Sequence, residues 1–507
     1  MSQLAALIPQ MQNGDFYSHS TTDDIELIQT HVSAVFLTGD YAYKLKKEVN
    51  FGFLDYSTLE KRKHFLEQEI AMNSALAPEL YLEVVSITKE GDRFALNGKG
   101  EPVEYALKMR QFPQENLFIN LFEANQLTRE QMAQLGKIVA QFHKEAETNE
   151  YIGSFGKVEK VREAFDENYQ QTESYVSVAQ TEQQLAETKA YTDKFFAERE
   201  ALFNNRISND KIKECHGDLH LKNICLWQDK IQLFDRIEFN EPFRFVDVMY
   251  DVAFVMMDLE ARDKKDYANV FLNAYLEQTG DYEGLPLLPL YLSRQAYVRA
   301  KVTSFLLDDP NVPETVKQEA QATATDYYKQ AHSYTQNREG KIIMMSGLSG
   351  AGKTTVAKTI AHKHSAIHLR SDAIRKQLAG ISVDETGSDD IYSSEMSQKT
   401  YNRLAELGIM LAKEGFTVIL DAKYDRVAYR QQVIEAANSN DISLQIVSCT
   451  APIEVMRDRL NQRTDDISDA TSDLLDSQQN NAEDFTSEET KYVTSVDTSQ
   501  DDWDSQL

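Results

Sequence analysis

Apolar and polar positions along the chain fall into three rhythms. Residues 33–46 (SAVFLTGDYAYKLK) hold two β-rich runs around Gly39-Asp40, which predicts a hairpin. Residues 81–112 add three strand-like runs with turns at Glu90-Gly91-Asp92 and Asn97-Gly98. Between them Ser57–Leu76 has helical spacing, with Ser57 or Thr58 as the cap and Pro78 as the stop. From about residue 126 the helical period dominates, interrupted by short β-like pieces at Ile224–Leu226 and Lys230–Phe234. This predicts a β-rich lobe at about 25–115 followed by a helical lobe at about 116–335. The polar run Thr335–Gly340 marks a linker, placed at 336–340, and the rhythm then changes again. Buried-strand runs at Ile342–Ser346, Ala366–Leu369, Thr417–Leu420, Leu444–Ser448 and Tyr492–Val496 alternate with helical stretches, which predicts an α/β domain over 341–500 with a parallel, helix-covered sheet. The stretch after Thr464 is strongly acidic, and 501–507 reads as a disordered acidic tail.

Composition narrows the function classes. At roughly 150 residues per domain, 507 residues predict two to four domains. Lys and Arg number 53 against 81 Asp and Glu, a net charge of −28, which disfavours nucleic acid because binding a phosphate backbone needs a basic face. Cys215, Cys225 and Cys449 form neither a disulfide framework nor a zinc spacing, so a reducing cytoplasm is expected. The first residues lack a basic segment followed by a long apolar one, and no membrane-spanning run occurs, so neither export nor membrane insertion is expected. Oligomeric state is not legible.

The first chemical centre is His216-Gly217-Asp218-Leu219-His220-Leu221-Lys222-Asn223, with Asp235 after a short hairpin. Phosphoryl transfer from ATP needs a carboxylate to orient and deprotonate the acceptor hydroxyl, and Asn and Asp oxygens to hold Mg²⁺ on the phosphates. Asp218 suits the first role, and Asn223 and Asp235 the second. The same chemistry needs a strand lysine held by a helix carboxylate, which Lys44 and Glu69 offer, with Lys46 and Glu67 as the competing choices. Leu107–Phe112 reads as the hinge beside adenine. His216 and Asp251 read as braces of the loop. His220 is read as a phosphate contact or a packing residue, and His143 as core.

The second centre is Gly347-Leu348-Ser349-Gly350-Ala351-Gly352-Lys353-Thr354, which matches G-x-x-x-x-G-K-[ST] between an apolar strand and a helix. Its glycines let backbone N–H groups, including that of Ala351, point at a β-phosphate. Lys353 then reaches the β/γ oxygens and Thr354 a Mg²⁺ ion, and Thr355 is expected among the ATP-binding residues. Asp372 follows the second strand, where a carboxylate can orient an acceptor hydroxyl, and Arg375 can bind an anionic acceptor. Asp421, ending a strand, is placed like a Walker-B metal carboxylate. Arg459 and Arg463 precede DDISDA as cations of a lid would, while Arg426 and Arg430 are read as acceptor contacts or as solvated helix face.

HGDLHLKN resembles the HGDxHxxN motif of the aminoglycoside phosphotransferase-like branch of the protein-kinase-like superfamily, over about residues 25–335. The resemblance implies an α+β bilobal fold with ATP between the lobes and a hydroxyl acceptor on the helical lobe. Arg236 follows Asp235 where that family has an apolar residue and Gly, and no Gly-rich loop precedes Lys44. Residues 341–500 resemble the P-loop kinases that include gluconate kinases, polynucleotide 5′-kinase domains and zeta-toxin-like kinases, through GLSGAGKTT, RSDAIRKQL, VILDAKYDRVAYR and RDRLNQRTDDISDA. That implies ATP-dependent phosphorylation of a hydroxyl. The fusion resembles bacterial bifunctional aminoglycoside phosphotransferase/ATP-binding proteins. The expectation is therefore an ATP- and Mg²⁺-dependent enzyme with two kinase modules and small hydroxylated acceptors. Two alternatives stay open: an N-terminal regulatory module that senses a ligand, and a polynucleotide or nucleotide-sugar kinase at the C-terminal end.

Overall fold

The computed structural model describes residues 3–52, 54–463 and 466–506. The chain forms two compact units, one of Met1–Leu127, Glu145–Ala164 and Arg199–Val255, the other of Thr128–Lys144, Phe165–Glu198 and Met256–Leu507.

The first unit is built on six antiparallel strands: β1 (Glu26–Gln29), β2 (Ser33–Leu37), β3 (Tyr41–Lys46), β4 (Tyr81–Glu90), β5 (Arg93–Leu96) and β6 (Pro102–Arg110), in the order β1-β2-β3-β6-β4-β5. The hairpin around Gly39-Asp40 pairs Leu37 with Ala42, and that register puts Ala42, Lys44 and Lys46 on one face of β3. The helix Leu59–Asn73 begins where Thr58 accepts a hydrogen bond from the Lys61 N–H. Its Leu66 is buried with Leu37, Ala42 and Leu107, a side chain whose burial contributes about 2 kcal/mol. The opposite face packs Phe36, Tyr43 and Leu45 against Leu7 and Met11 of the helix Gln3–Met11. That helix and β1 were not expected, because Pro9 lies inside the helix and β1 is only four residues long. Beyond the sheet, β7 (Ile212–Glu214) leads to the HGDLHLKN loop and pairs with β10 (Phe245–Asp247), while β8 (Ile224–Trp227) and β9 (Lys230–Leu233) form the expected hairpin.

In the second unit β11 (Lys341–Ser346), β12 (Ile367–Arg370), β13 (Thr417–Asp421), β14 (Ser443–Thr450) and β15 (Val493–Asp497) form a parallel sheet in the order β12-β13-β11-β14-β15. Burial of β11, β12 and β13 on both faces explains their continuous apolar runs, whereas the edge strand β15 buries only Val496. Ile343, Met345, Val356, Ile360, Ile419 and Val447 make the core beneath the glycine loop. The last residues depart from the expected disordered tail. Trp503–Gln506 is a 3₁₀ turn, Trp503 packs against that core, and the Gln506 side chain accepts the Asp497 N–H at 2.9 Å. One aromatic ring with an apolar face to cover outweighs an acidic composition. Thr464 and Asp465 of the lid motif, and Leu507, lie outside the described residues. Among the described residues no helix is long and apolar enough to cross a membrane.

Candidate active sites

In the first unit β3 and the helix Leu59–Asn73 bring two lysines onto one carboxylate. Lys44 Nζ lies 2.7 Å from Glu69 Oε1 and 2.6 Å from Asp235 Oδ1. Lys46 Nζ lies 2.8 Å from Glu69 Oε2 and 2.6 Å from Glu238 Oε1, where the Tyr56 hydroxyl also donates at 2.7 Å. Burial opposes charge on Glu69, yet Lys44 and Lys46 hold its carboxyl down at about 2. Burial likewise opposes charge on Lys44, but Asp235 and Glu69 outweigh it and push the ammonium well above its ordinary range. The competing carboxylate Glu67 sits on the exposed side of the helix, 3.6 Å from Lys63.

The HGDLHLKN loop is braced from below. Asp251 accepts the N–H groups of His216 and Gly217 at 2.7 and 2.8 Å, and His216 Nε2 is 3.1 Å from the Phe234 carbonyl. Burial lowers the His216 imidazole, which keeps it neutral near pH 7. Asn223 Nδ2 donates to the Asp218 carbonyl at 2.9 Å and to Asp218 Oδ2 at 3.1 Å, and His220 Nε2 is 3.5 Å from the same carboxylate. His220 also packs edge-on against Phe254. Asp235 takes a left-handed φ of +61°, and its N–H donates to the Tyr81 hydroxyl at 2.9 Å. Arg236 points away from this carboxylate group: it is buried, donates to the Cys215 carbonyl at 2.9 Å, and pairs with Glu214 at 3.2 Å. Thus Lys44, Glu69 and Asp235 meet directly, and Asp218 meets Asn223. Beside the expected hinge a cavity of about 550 Å³ is lined by Gly39, Leu82, Arg110, Gln111 and Trp227, among others.

In the second unit the glycine loop runs from β11 into the helix Lys353–His364. Gly347 and Gly350 have φ of +138° and +78°, and a Cβ on either would meet the Cys449 or Met456 carbonyl oxygen within 2.5 Å. Glycine is therefore required there twice over, by conformation and by space. Lys353 Nζ donates to the Leu348 carbonyl at 2.8 Å, which curls the side chain over the loop, and burial lowers its ammonium. Thr354 Oγ1 donates to Asp421 Oδ2 at 2.8 Å, and His368 Nε2 lies 2.9 Å from the same oxygen. Burial works against charge on Asp421, but His368, Arg370 and Lys353 hold its carboxyl down at about 2. Burial pushes the Asp372 carboxyl above the usual carboxylate range, with the Arg370 guanidinium opposing.

The arginines divide. Arg459 donates to the Gly350 carbonyl at 3.3 Å and to Thr498 Oγ1 at 2.8 Å, tying the glycine loop to the chain after β15. Arg463 donates to the Ser468 and Ala470 carbonyls, at 3.0 and 2.5 Å, and holds the backbone of the segment expected to form a lid. Arg375 is buried beneath Tyr392, donates to the Ile391 carbonyl at 2.9 Å, and has no partner for its Nε among the described residues. Arg430 is wholly buried and paired with Glu489 at 2.8 Å, so it braces a loop and is no solvated face. Arg426 and Thr355 are exposed. His143 is buried, 3.0 Å from the Tyr275 hydroxyl.

Sequence reading missed Glu238, Tyr56, Tyr81 and His368. Glu238 and His368 carried a faint signal, one lying three residues after Asp235 and the other alternating with Arg370 on β12; the tyrosines carried none.

Residues 342–485 match a family model described as an AAA domain. The C-terminal region is a P-loop domain. Uncharacterized proteins of Mycobacterium tuberculosis and Mycobacterium bovis are each 28% identical over 468 residues, covering 91% of this chain and 91% of theirs. Among solved structures, the chain is similar to a gluconokinase from Sinorhizobium meliloti 1021, at 24% identity over 32% of this chain and 86% of that one, with a TM-score of 0.24. It is also similar to a choline/ethanolamine kinase family protein from Mesorhizobium loti, at 11% identity over 65% and 99%, TM-score 0.38. A third is the amicoumacin kinase hAmiN, at 12% identity over 65% and 94%, TM-score 0.40.

Proposed function

We propose that the chain is an ATP- and Mg²⁺-dependent phosphotransferase with two sites, each moving the γ-phosphoryl group to a hydroxyl of a small sugar-like or aminoglycoside-like acceptor. In this reading a kinase-like domain occupies 1–335, a linker 336–340, a P-loop kinase domain 341–500, and an acidic segment 501–507. The observation that carries it is that each half gathers a lysine and carboxylates from separate elements: Lys44 with Glu69 and Asp235, and Lys353 and Thr354 with Asp421. The donor sets fit a metal–nucleotide complex, since the carboxylate and amide oxygens are hard ligands and the glycine loop holds left-handed turns whose close backbone packing leaves no room for a Cβ at Gly347 or Gly350. Mg-ATP would supply the transferable phosphoryl group and the charge neutralisation.

The chain's own residues do the rest. In the first site Asp218 would orient the acceptor hydroxyl and take its proton, Asn223 and Asp235 would hold the ion, and Lys44, kept in place by Glu69, would face the phosphates. In the second, Ala351 and its loop neighbours, together with Lys353, would present N–H groups to the phosphates, Thr354 and Asp421 would hold the ion, and Asp372 would receive the hydroxyl proton. Arg375 supplies a buried cation on the acceptor side, and Arg459 and Arg463 order the segments around the loop.

A second reading makes the N-terminal half a ligand-sensing module that regulates the P-loop kinase. The turn before β2, Thr30–Val32, holds no glycine and is tightened by Thr30 Oγ1 accepting the Val32 and Ser33 N–H groups at 3.2 and 3.0 Å. The two readings separate in a screen of a metabolite pool for mass gain of one phosphate, run with wild type, Asp218→Ala and Lys353→Ala. Two products, each lost in one variant, support two kinases. One product lost in Lys353→Ala and untouched in Asp218→Ala supports the regulatory reading.

A further inference from the structure

β12 is one edge of the P-loop sheet, and within the second unit the helix Lys265–Thr279 lies along it. Asn269 and Asn273 both donate to the Ala366 carbonyl, at 2.9 and 3.0 Å, and Asn273 Oδ1 accepts the His368 N–H at 2.8 Å. Side-chain amides thus satisfy main-chain groups that an edge strand otherwise exposes. The end of this helix reaches the helix Ser371–Ala379: Gln377 Nε2 donates to the Glu277 carbonyl at 2.9 Å. Further on, Arg403 pairs with Glu283.

Arg370 stands at the centre of this contact, buried at the last position of β12 and two residues before Asp372. Its Nη1 lies 3.1 Å from Glu277 Oε2 and its Nη2 2.6 Å from Asp466 Oδ1. The two carboxylates come from unlike places. Glu277 is on a helix anchored by two buried-edge asparagine contacts and by Gln377. Asp466 is on the segment after the helix Ile453–Gln462, where Asp469 in turn accepts from the Gly387 N–H at 3.0 Å and from Tyr392. One guanidinium fork so joins a fixed carboxylate to a lid carboxylate, beside the acid expected to receive the acceptor proton.

We propose that Glu277 is a positioning residue of the P-loop site: it aims Arg370 so that Asp466 docks and the 466–470 segment closes beside Asp372. The assignment of Asp372 as the acceptor carboxylate rests on the phosphotransfer reading above; the docking itself does not. Residues 265–283 are then a working part of the P-loop module, although they lie outside the 342–485 stretch that its family model covers.

Hydrogen–deuterium exchange of the full-length protein tests this, with wild type, Glu277→Gln, Arg370→Lys and Glu283→Gln. Losing a charge-assisted bond releases the segment, so amides of 466–474 exchange about tenfold faster in Glu277→Gln and in Arg370→Lys, which keeps the charge but not the fork. Glu283→Gln, in the same contact but away from Arg370, leaves those amides at the wild-type rate. Unchanged exchange in Glu277→Gln and Arg370→Lys, or equal acceleration in Glu283→Gln, overturns the proposal. Calorimetry with Mg–AMP-PNP on the same samples keeps the two ideas apart. Absence of nucleotide binding by wild type sinks the phosphotransfer reading, and the exchange comparison still decides the role of Glu277.

Discussion

The two candidate sites place positive charge by opposite means. Lys44 is clasped between Glu69 and Asp235, and a second buried pair, Lys46 with Glu238, backs it. Lys353 leans on a backbone carbonyl instead, and its loop supplies further positive potential from N–H groups held by glycine geometry. The protonation energetics follow: Asp235 and Glu69 raise Lys44 against the pull of burial, whereas burial lowers Lys353. A site of paired side chains is held by long-range ion pairs and is exposed to the loss of any one member. A site of backbone dipoles is held by local conformation and is exposed to a single added Cβ.

The contrast yields four expectations. The largest is catalytic: Lys44→Ala and Lys353→Ala should each abolish one product, with losses of about 100-fold or more in that component, read by separate phosphorylation assays. If one variant silences both products, the sites are not independent. Next comes stability. Glu69→Gln takes one of two carboxylates from each of two buried lysines, leaving Lys44 with Asp235 and Lys46 with Glu238, and should cost about 3 kcal/mol in urea unfolding, as should Arg430→Met, which takes the cation from buried Glu489 in the other region. A near-zero cost at Glu69 would show that the ion-pair ladder is not what holds the first site.

The third expectation concerns pH. Glu69 has its carboxyl depressed from 4.5 to about 2 in the folded protein, so its contribution is present above about pH 4.5 and disappears as the pH falls through 2. The stability gap between wild type and Glu69→Gln, followed by urea midpoints, should therefore be widest near neutrality and close across that interval. A gap that widens on acidification refutes the assignment. The smallest effect is Glu67→Gln, which touches an exposed pair with Lys63 and should cost below about 0.5 kcal/mol. Placed beside Glu69→Gln, it measures how sharply the helix distinguishes two carboxylates separated by one residue.

That pair also shows where sequence reading stops. Glu67 and Glu69 share a helix, a charge and a reach, and their spacing from Lys44 differs by two residues; the burial of one face chooses between them. The hairpin at Gly39-Asp40 and the five strands of the parallel sheet were legible because each is written in adjacent residues as turn chemistry or as a run rich in apolar and β-branched residues. The P-loop was legible for the same reason. The contacts of His368 with Asp421 and of Arg370 with Glu277 were not, since 53 and 93 residues separate the partners and nothing local marks either.

Adjacent residues, then, settle backbone shape: where glycines let amides converge, where strands run, which loop carries Asp218 and Asn223. Packing settles charge: which of several equivalent carboxylates meets each lysine or arginine, and whether Arg430 faces water or Glu489. The reason is range. Torsional preferences act over a few residues and leave their trace in neighbouring letters, whereas an ion pair depends on separation in space and on the dielectric around it, and both exist once distant segments have been brought together.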